Sequence, residues 1–426
     1  MPSPQLEREV RQHLRFNVTV NLFDGAFFGF GWGFSSPSTF IPIFLSRMTS
    51  SAILFGLVPA IHTTGWLLPQ ILTAGWVARL RRYKPAVLLM TVNERLPYLG
   101  LALVAWFLPG MGRTIGLALT FLLLAWQGLG AGFTANPWMS FIAKIIPPEF
   151  HGTFFGSQAA ASSILMSVGA VLAGILLTDV SNRFNFSLIF LLTFGCMIVS
   201  YVFLSSSREP VDLEKEVPPS TAPFWKGTRT ILRRDVNFRW FIVSRMLSQI
   251  ATTGFAFYII YCVKQFSMND FTAGVLTAAA TVSQIIANPL MGWAGDHWGH
   301  HTVLLVGASA AMLSCLLAGL APGLIWFYPV MILSGLANVA VWTNGLAMTV
   351  EFGNEVERPV YIGLSNTLVA PFAILAPIFG GWLADAAGYR TMFIAVAGAG
   401  LITMAVLYLW VRDPRQVSKV AVPTDS

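Results

Sequence analysis

Charge is what this sequence has least of. Asp, Glu, Lys and Arg make up 11% of the 426 residues, against 55% hydrophobic residues and a mean hydropathy of +0.67. That is more apolar surface than a soluble core of this length buries, so a water-soluble fold is excluded and an integral membrane protein is expected. Cysteine is also scarce. Cys196, Cys262 and Cys315 fall in separate apolar runs, which argues against a disulfide framework or a metal-binding spacing and makes them small core residues. The alternating ten-residue pattern of a membrane barrel is missing, so the spans are helical. No glycine loop ending in Lys-Ser/Thr cradles a phosphate, and no nucleophile or metal constellation is present. ATP is therefore not the energy source, no cofactor is called for, and an enzyme is not expected. The first fifteen residues, with Glu7, Arg8, Glu9, Arg11 and Arg15, lack the apolar core and cleavage site of a secretory signal, so the N-terminus is expected to be retained.

Long apolar runs are abundant. Twelve read as membrane helices, over 17–46, 52–78, 85–108, 113–142, 153–177, 185–204, 239–264, 271–295, 302–320, 324–350, 361–384 and 391–411. The pI near 9.5 invites a nucleic-acid reading, but the positions of the basic residues decide against it. Most lie in the loops of one side, among them Arg79, Arg81, Arg82, Lys84, Lys144, Arg208, Arg229, Arg233, Arg234 and Arg412. Positive residues favour the cytoplasm, which puts both termini there in a multi-pass protein of the cell membrane, with no nucleic-acid partner.

One long polar stretch, 205–238, separates an N-terminal six-helix bundle (1–204) from a C-terminal one (239–426). The halves read as repeats: Gly33-Phe34 matches Gly254-Phe255, Gly75-Trp76 matches Gly292-Trp293, and Gly128-Leu129 matches Gly335-Leu336.

The turn Gly292-Trp293-Ala294-Gly295-Asp296-His297-Trp298-Gly299-His300-His301 follows the order G-x-x-x-D-x-x-G with basic residues after it. With Gln127-Gly128-Leu129-Gly130-Ala131 and Gly381-Trp382-Leu383-Ala384-Asp385, it resembles the loop and helix motifs of the major facilitator superfamily. The resemblance implies an all-α integral membrane fold of twelve helices in two pseudo-symmetric bundles, a substrate path on the axis between them, and lining from helices 1, 4, 7 and 10. Departures from the family pattern are Leu124 where an arginine is usual, Arg79 where the first-half loop usually has aspartate, and no Gly-Pro pair in helix 5. They weaken a drug-export reading and the usual proton relay.

Ionisable groups within hydrocarbon cost roughly 2.5–3.5 kcal/mol on insertion scales and must be paired or serve function. Asn17, Asn21 and Asp24 share one face of helix 1, while Gly25, Gly29 and Gly33 form a close-packing stripe. The repeat makes Arg245 the counterpart of Asp24, and a pair between them is expected. Glu94 and Arg95 on helix 3 point about 100° apart and are expected to meet different helices; the family's helix 3 lies mostly outside the central cavity, which implies a structural pairing within the first half. Asp24, Glu94 and Arg245 are the candidates for proton coupling; His62 is weighed as a core histidine. Asn21, Asn136, Trp138, Gln249, Tyr258, Asn338 and Trp342 are the candidates for substrate contact, and a moderately apolar organic solute is indicated. His297, His300 and His301 read as a solvated turn rather than a metal site.

Arg79 and Asp296 carry opposite charges at corresponding turns. Glu351, Glu355 and Glu357 precede helix 11 opposite Arg79, and Lys144 and His151 precede helix 5 opposite Asp296, so a charge-swapped cytoplasmic gate is expected. The functional expectation is a monomeric secondary transporter coupled to protons, with export favoured over uptake and with the lipid bilayer, a small solute and protons as partners. The alternatives are a transport-inactive regulatory or assembly protein on the same fold and an importer or uniporter of a polar metabolite.

Overall fold

The computed structural model describes residues 4–77, 79–179, 184–210, 231–352 and 358–414. These form helices and no strand: α1 (Pro4–Phe34), α2 (Phe40–Ser46), α3 (Ala52–Val77), α4 (Lys84–Met111), α5 (Arg113–Ile145), α6 (His151–Asp179), α7 (Asn185–Ser206), α8 (Val236–Ala251), α9 (Tyr258–Phe266), α10 (Asp270–Trp298), α11 (His300–Leu320), α12 (Phe327–Val339), α13 (Gly345–Val350), α14 (Arg358–Ala387) and α15 (Tyr389–Trp410). Among the described residues, 11 helical stretches are long and apolar enough to cross a membrane. The expected first run is α1, whose charged N-terminal turns extend the helix back to Pro4, followed by α2.

Three expected runs are interrupted. Run 17–46 breaks at Ser35–Thr39, where Pro37 disfavours helix at the residue before it. The seventh breaks at Thr252–Phe257 into a 3-10 turn, because threonine hydroxyls there bond back to the carbonyls of Ser248 and Gln249. The tenth carries a π-helical turn, Ala340–Asn344.

The chain divides into two compact units. Unit 1 comprises Met1–Ser50, Ile61–Ser220 and Asn269–Ala278, and unit 2 comprises Ser51–Ala60, Thr221–Met268 and Ala279–Ser426. Within unit 1, α1 packs on α6 and α7, and α4 packs on α5 and α7; within unit 2, α8 packs on α14 and α15, and α11 on α12 and α15. The same packing pattern therefore recurs in each unit, as the glycine repeats lead one to expect. The stripe of Gly25, Gly29 and Gly33 lies directly on α6, against the side chain of Gln158 and the backbone at Ser162 and Met166. Side chains there would separate the helices.

A second repeat escaped the glycine comparison. In unit 1, Asn17 Nδ2 donates to the carbonyl of Arg208 (2.9 Å), and Asn17 Oδ1 accepts from the Arg208 N–H (2.8 Å). In unit 2, Asn237 makes the same two bonds with Arg412 (2.9 and 2.8 Å). An acid follows each arginine, and a proline follows the acid: Arg208-Glu209-Pro210 and Arg412-Asp413-Pro414. Glu209 accepts from the N–H groups of Tyr83 (2.8 Å) and Lys84 (2.9 Å), capping α4. Asp413 lies against Gly299, the residue that opens α11.

Gly299 adopts φ 90°, ψ 142°, a region nearly closed to other residues, and a Cβ there would strike the Asp413 carboxylate. Gly299→Ala is expected to cost about 1–3 kcal/mol of backbone strain plus that clash, read as a lowered unfolding temperature of the purified protein. An unchanged midpoint refutes it.

Asp385 forms another cap, within unit 2. Its carboxylate accepts from the N–H groups of Ala52 (2.7 Å) and Ile53 (3.1 Å) and from the Ser51 hydroxyl (2.8 Å), at the start of α3. Hydrogen bonds to a charged acceptor contribute about 1.5–3 kcal/mol each. Asp385→Ala is expected to lower the unfolding midpoint, with hydrogen exchange at Ala52 and Ile53 accelerating before that of the α3 interior. Unaltered exchange at those two amides counts against the cap.

Candidate functional site

Within unit 1 lies a cavity of about 510 Å³, lined by Asp24 and Phe28 of α1, Trp66 of α3, Glu94 and Arg95 of α4, Trp138 of α5, and Phe155 and Gln158 of α6. Backbone proximity builds it. Gly130 of α5 sits directly on the backbone of Asn93 and Glu94, bringing α4 close enough for Glu94 and Arg95 to reach the cavity.

Arg95 is the hub. Its side chain is only 5% exposed, and Nη2 lies 3.6 Å from Asp24 Oδ1, whose own side chain is 7% exposed. Nη2 also donates to the Ser200 hydroxyl (2.9 Å), which in turn donates to Asp24 (2.6 Å). Nε donates to the Met197 carbonyl (3.1 Å), and Nη1 to Thr91. Glu94 Oε2 stands 4.0 Å from Nη1, too far for a hydrogen bond. The guanidinium lies over the Phe28 ring, 5.5 Å from its centroid.

Asp24, for which Arg245 was the expected partner, pairs with Arg95 of its own unit, because α4 is held against α7, and Ser200 of α7 bridges the two charges. That agrees with the pairing within the first half expected of helix 3, and Glu94 and Arg95 also line the unit 1 cavity. Arg245, in unit 2, donates to Ser365 (2.8 Å) and Thr349 (3.4 Å). His62 stacks edge-on with Trp32 (5.3 Å between centroids) and does not line the cavity.

The substrate candidates separate by what their polar atoms do. Trp138 lines the cavity, edge-on to Phe155. Asn21 donates to Ser207 and the Asn17 carbonyl, and Asn136 to Thr73 and the Gln70 carbonyl, so both tie helices together. Tyr258 is fully buried with its hydroxyl on Ser314 and Cys315, a core residue rather than a lining one. Gln249 and Asn338 are half-buried and line neither that cavity nor the small one in unit 2, and Trp342 is exposed on the π-helical turn. Sequence reasoning missed Phe28, Trp66, Phe155, Thr91 and Ser200. Thr91, one turn before Arg95, was detectable from its spacing; Ser200, more than a hundred residues away, carried no signal.

The gate residues are also re-sorted. Lys144, expected to face Asp296, pairs with Glu209 (3.0 Å) and donates to the Arg81 carbonyl (2.8 Å), because Glu209 already sits at the head of α4. His151 bonds the Ile146 carbonyl (2.8 Å). Arg79 and Asp296 are exposed, Glu351 lies 3.5 Å from His300, and Glu355 and Glu357 lie outside the described residues. Of the loop histidines, His297 bonds the Trp293 carbonyl and His301 the Leu407 carbonyl, and among the described residues no group of three ligand side chains gathers for a metal.

Comparison with known proteins places this geometry. The chain is 30% identical over 159 residues to a probable vesicular acetylcholine transporter-A of Danio rerio, covering 36% of this chain and 31% of that protein. It is 31% identical over 146 residues to the vesicular acetylcholine transporter of Mus musculus, covering 34% of this chain and 27% of the other. The matched stretch spans about a third or less of these curated relatives. Among solved structures, a variant of the nucleoside transporter NupG superposes with a TM-score of 0.74 at 12% identity, covering 93% of this chain and 100% of that one. A bacterial homologue of the iron transporter ferroportin gives 0.72 at 15%, covering 93% and 99%. The family model described as Major Facilitator Superfamily matches residues 92–261 and 241–425. On that match across both halves, the chain belongs to the major facilitator superfamily, a family of membrane carriers rather than enzymes.

Proposed function

We propose that this protein is a proton-coupled secondary transporter that moves a moderately apolar organic cation across the cell membrane by alternating access, with export as its direction. The observation that carries the reading is a charge imbalance in the unit 1 cavity. Two carboxylates, Asp24 and Glu94, face a single guanidinium, that of Arg95. Burying one unbalanced charge costs several kcal/mol, so either a proton or a cationic ligand must neutralise it. A proton and a cation that compete for one carboxylate cannot both be bound, and that exclusion is the basis of antiport.

The walls suit the cation. Phe28, Trp66, Trp138 and Phe155 line the cavity, and a cation held over an aromatic face gains about 0.5–2 kcal/mol. About 510 Å³ accommodates a drug-sized molecule. The relatives matched over a third of the chain are named for acetylcholine, itself a cation, which supports the same charge preference. Cytoplasmic termini follow from the basic loops.

The test is flux in proteoliposomes with an imposed pH gradient, using a panel of aromatic amines, their neutral isosteres and aromatic carboxylates. Uphill movement of amines alone, collapsing when the gradient is dissipated, is the expected result. Transport of the neutral isosteres at equal rates, or no flux of any solute, overturns the reading.

A further inference from the structure

We infer that Arg245 is the core of a second site, a pocket for a small monovalent anion inside unit 2. Arg245 is 6% exposed, and a guanidinium keeps its charge in proteins. None of the ion pairs among the described residues includes it. Three described carboxylates of unit 2 are engaged elsewhere: Asp235 with the Tyr361 hydroxyl (3.0 Å), Glu351 with His300, and Asp385 with the head of α3. Its two acceptors, the hydroxyls of Ser365 and Thr349, are neutral. Its Nε–H is buried without an acceptor. Among the described residues of unit 2, no carboxylate is paired with it.

Space for one exists beside it. Arg245 lines a cavity of about 20 Å³ with the hydroxyl residues Ser248, Thr252 and Thr403 and the apolar Leu304, Val341 and Leu407. Roughly 10–15 Å³ admits one water-sized group, so the space is on the scale of a single small ion. A water would satisfy the Nε–H but leave the charge unbalanced, whereas an anion does both. Gly345 stands beside the guanidinium, where a Cβ would meet Nε in ordinary van der Waals contact at 3.5 Å. The π-helical turn Ala340–Asn344 ends at that glycine, and such turns recur where a helix is reshaped around a ligand.

Two sources share this chemistry, an inorganic halide and the carboxylate of a small organic acid. The experiment measures thermal unfolding of the purified full-length protein against rising chloride, bromide or acetate, with gluconate holding the ionic strength constant. A saturable rise in midpoint with chloride and bromide supports a halide site; a rise with acetate alone supports the same site with a carboxylate ligand. Arg245→Gln is expected to abolish the response, and Arg245→Lys to weaken half-saturation about tenfold or more, since lysine lacks the planar donor fork. Should Arg245→Gln fail to fold, Arg245→Lys and chloride-35 line broadening on the wild type, relieved by bromide, decide the matter. A wild type with no saturable response to any of the three anions overturns the inference, as does an unshifted response in Arg245→Lys. The measurement needs no transport, so its outcome is independent of the flux test above.

Discussion

Arg95→Ala is expected to destabilise the protein by about 3–5 kcal/mol, the cost of stranding a buried charge after its partner is removed. The loss has two parts. Asp24, 7% exposed, would keep only the Ser200 hydroxyl, and the Met197 carbonyl and Thr91 would lose their donor. Electrostatics can be separated from lost volume by the partner substitution. Arg95→Met with Asp24→Asn removes both charges while filling most of the space, and is expected to recover much of the stability lost in Arg95→Met alone. Denaturant unfolding of the four proteins in one detergent gives the coupling. If the two changes are simply additive, the charges are not paired in the folded protein.

Asp24→Asn is expected to have the largest effect on function. With Asp24 neutral, Arg95 and Glu94 balance one another, and the cavity no longer requires a proton or a cation to complete its charge. Uphill transport driven by a pH gradient should disappear, while exchange down a solute gradient should persist. Binding of the cation should weaken with it. The sign matters: a mutant that merely misfolded would lose both kinds of transport. Proteoliposome uptake measured with and without an imposed gradient distinguishes them, and unaltered uphill transport removes Asp24 from the coupling path.

Much of this architecture was legible in the sequence because it rests on repeated, local signals. Hydrophobic length gave the spans, and the glycines at 25, 29 and 33 gave the close approach of α1 to another helix, which proves to be α6. Pairing was harder. The repeat spacing pointed Asp24 toward Arg245, whereas its counter-ion is Arg95 of its own unit, since symmetry relates positions without bringing them together. The family's helix 3 implied a pairing of Arg95 within its own half, and that holds; its particular partners, Asp24 on α1 and Ser200 on α7, have no local signature. Lys144 was set opposite Asp296 by its place before helix 5 and by its charge, whereas Glu209, after the end of α7, holds it at 3.0 Å. The segment Arg208-Glu209-Pro210 and its echo Arg412-Asp413-Pro414 were visible in the sequence, though their acids differ by a methylene and a comparison of identical residues passes over them.

Those paired clasps bear on biosynthesis. Asn17 meets Arg208 across 191 residues, and Asn237 meets Arg412 across 175. In each unit an asparagine of an early helix is bonded to backbone just past a much later one, α7 or α15, and the acid that follows, Glu209 or Asp413, lies at the head of a helix inserted in between. Neither bundle can lock until its sixth span has left the ribosome, so the opening helix waits in the bilayer with its amide unpaired. Truncation after residue 204 would leave that helix unclasped, and truncation after residue 210 would let it close: the few residues between carry the signal that the first bundle is finished.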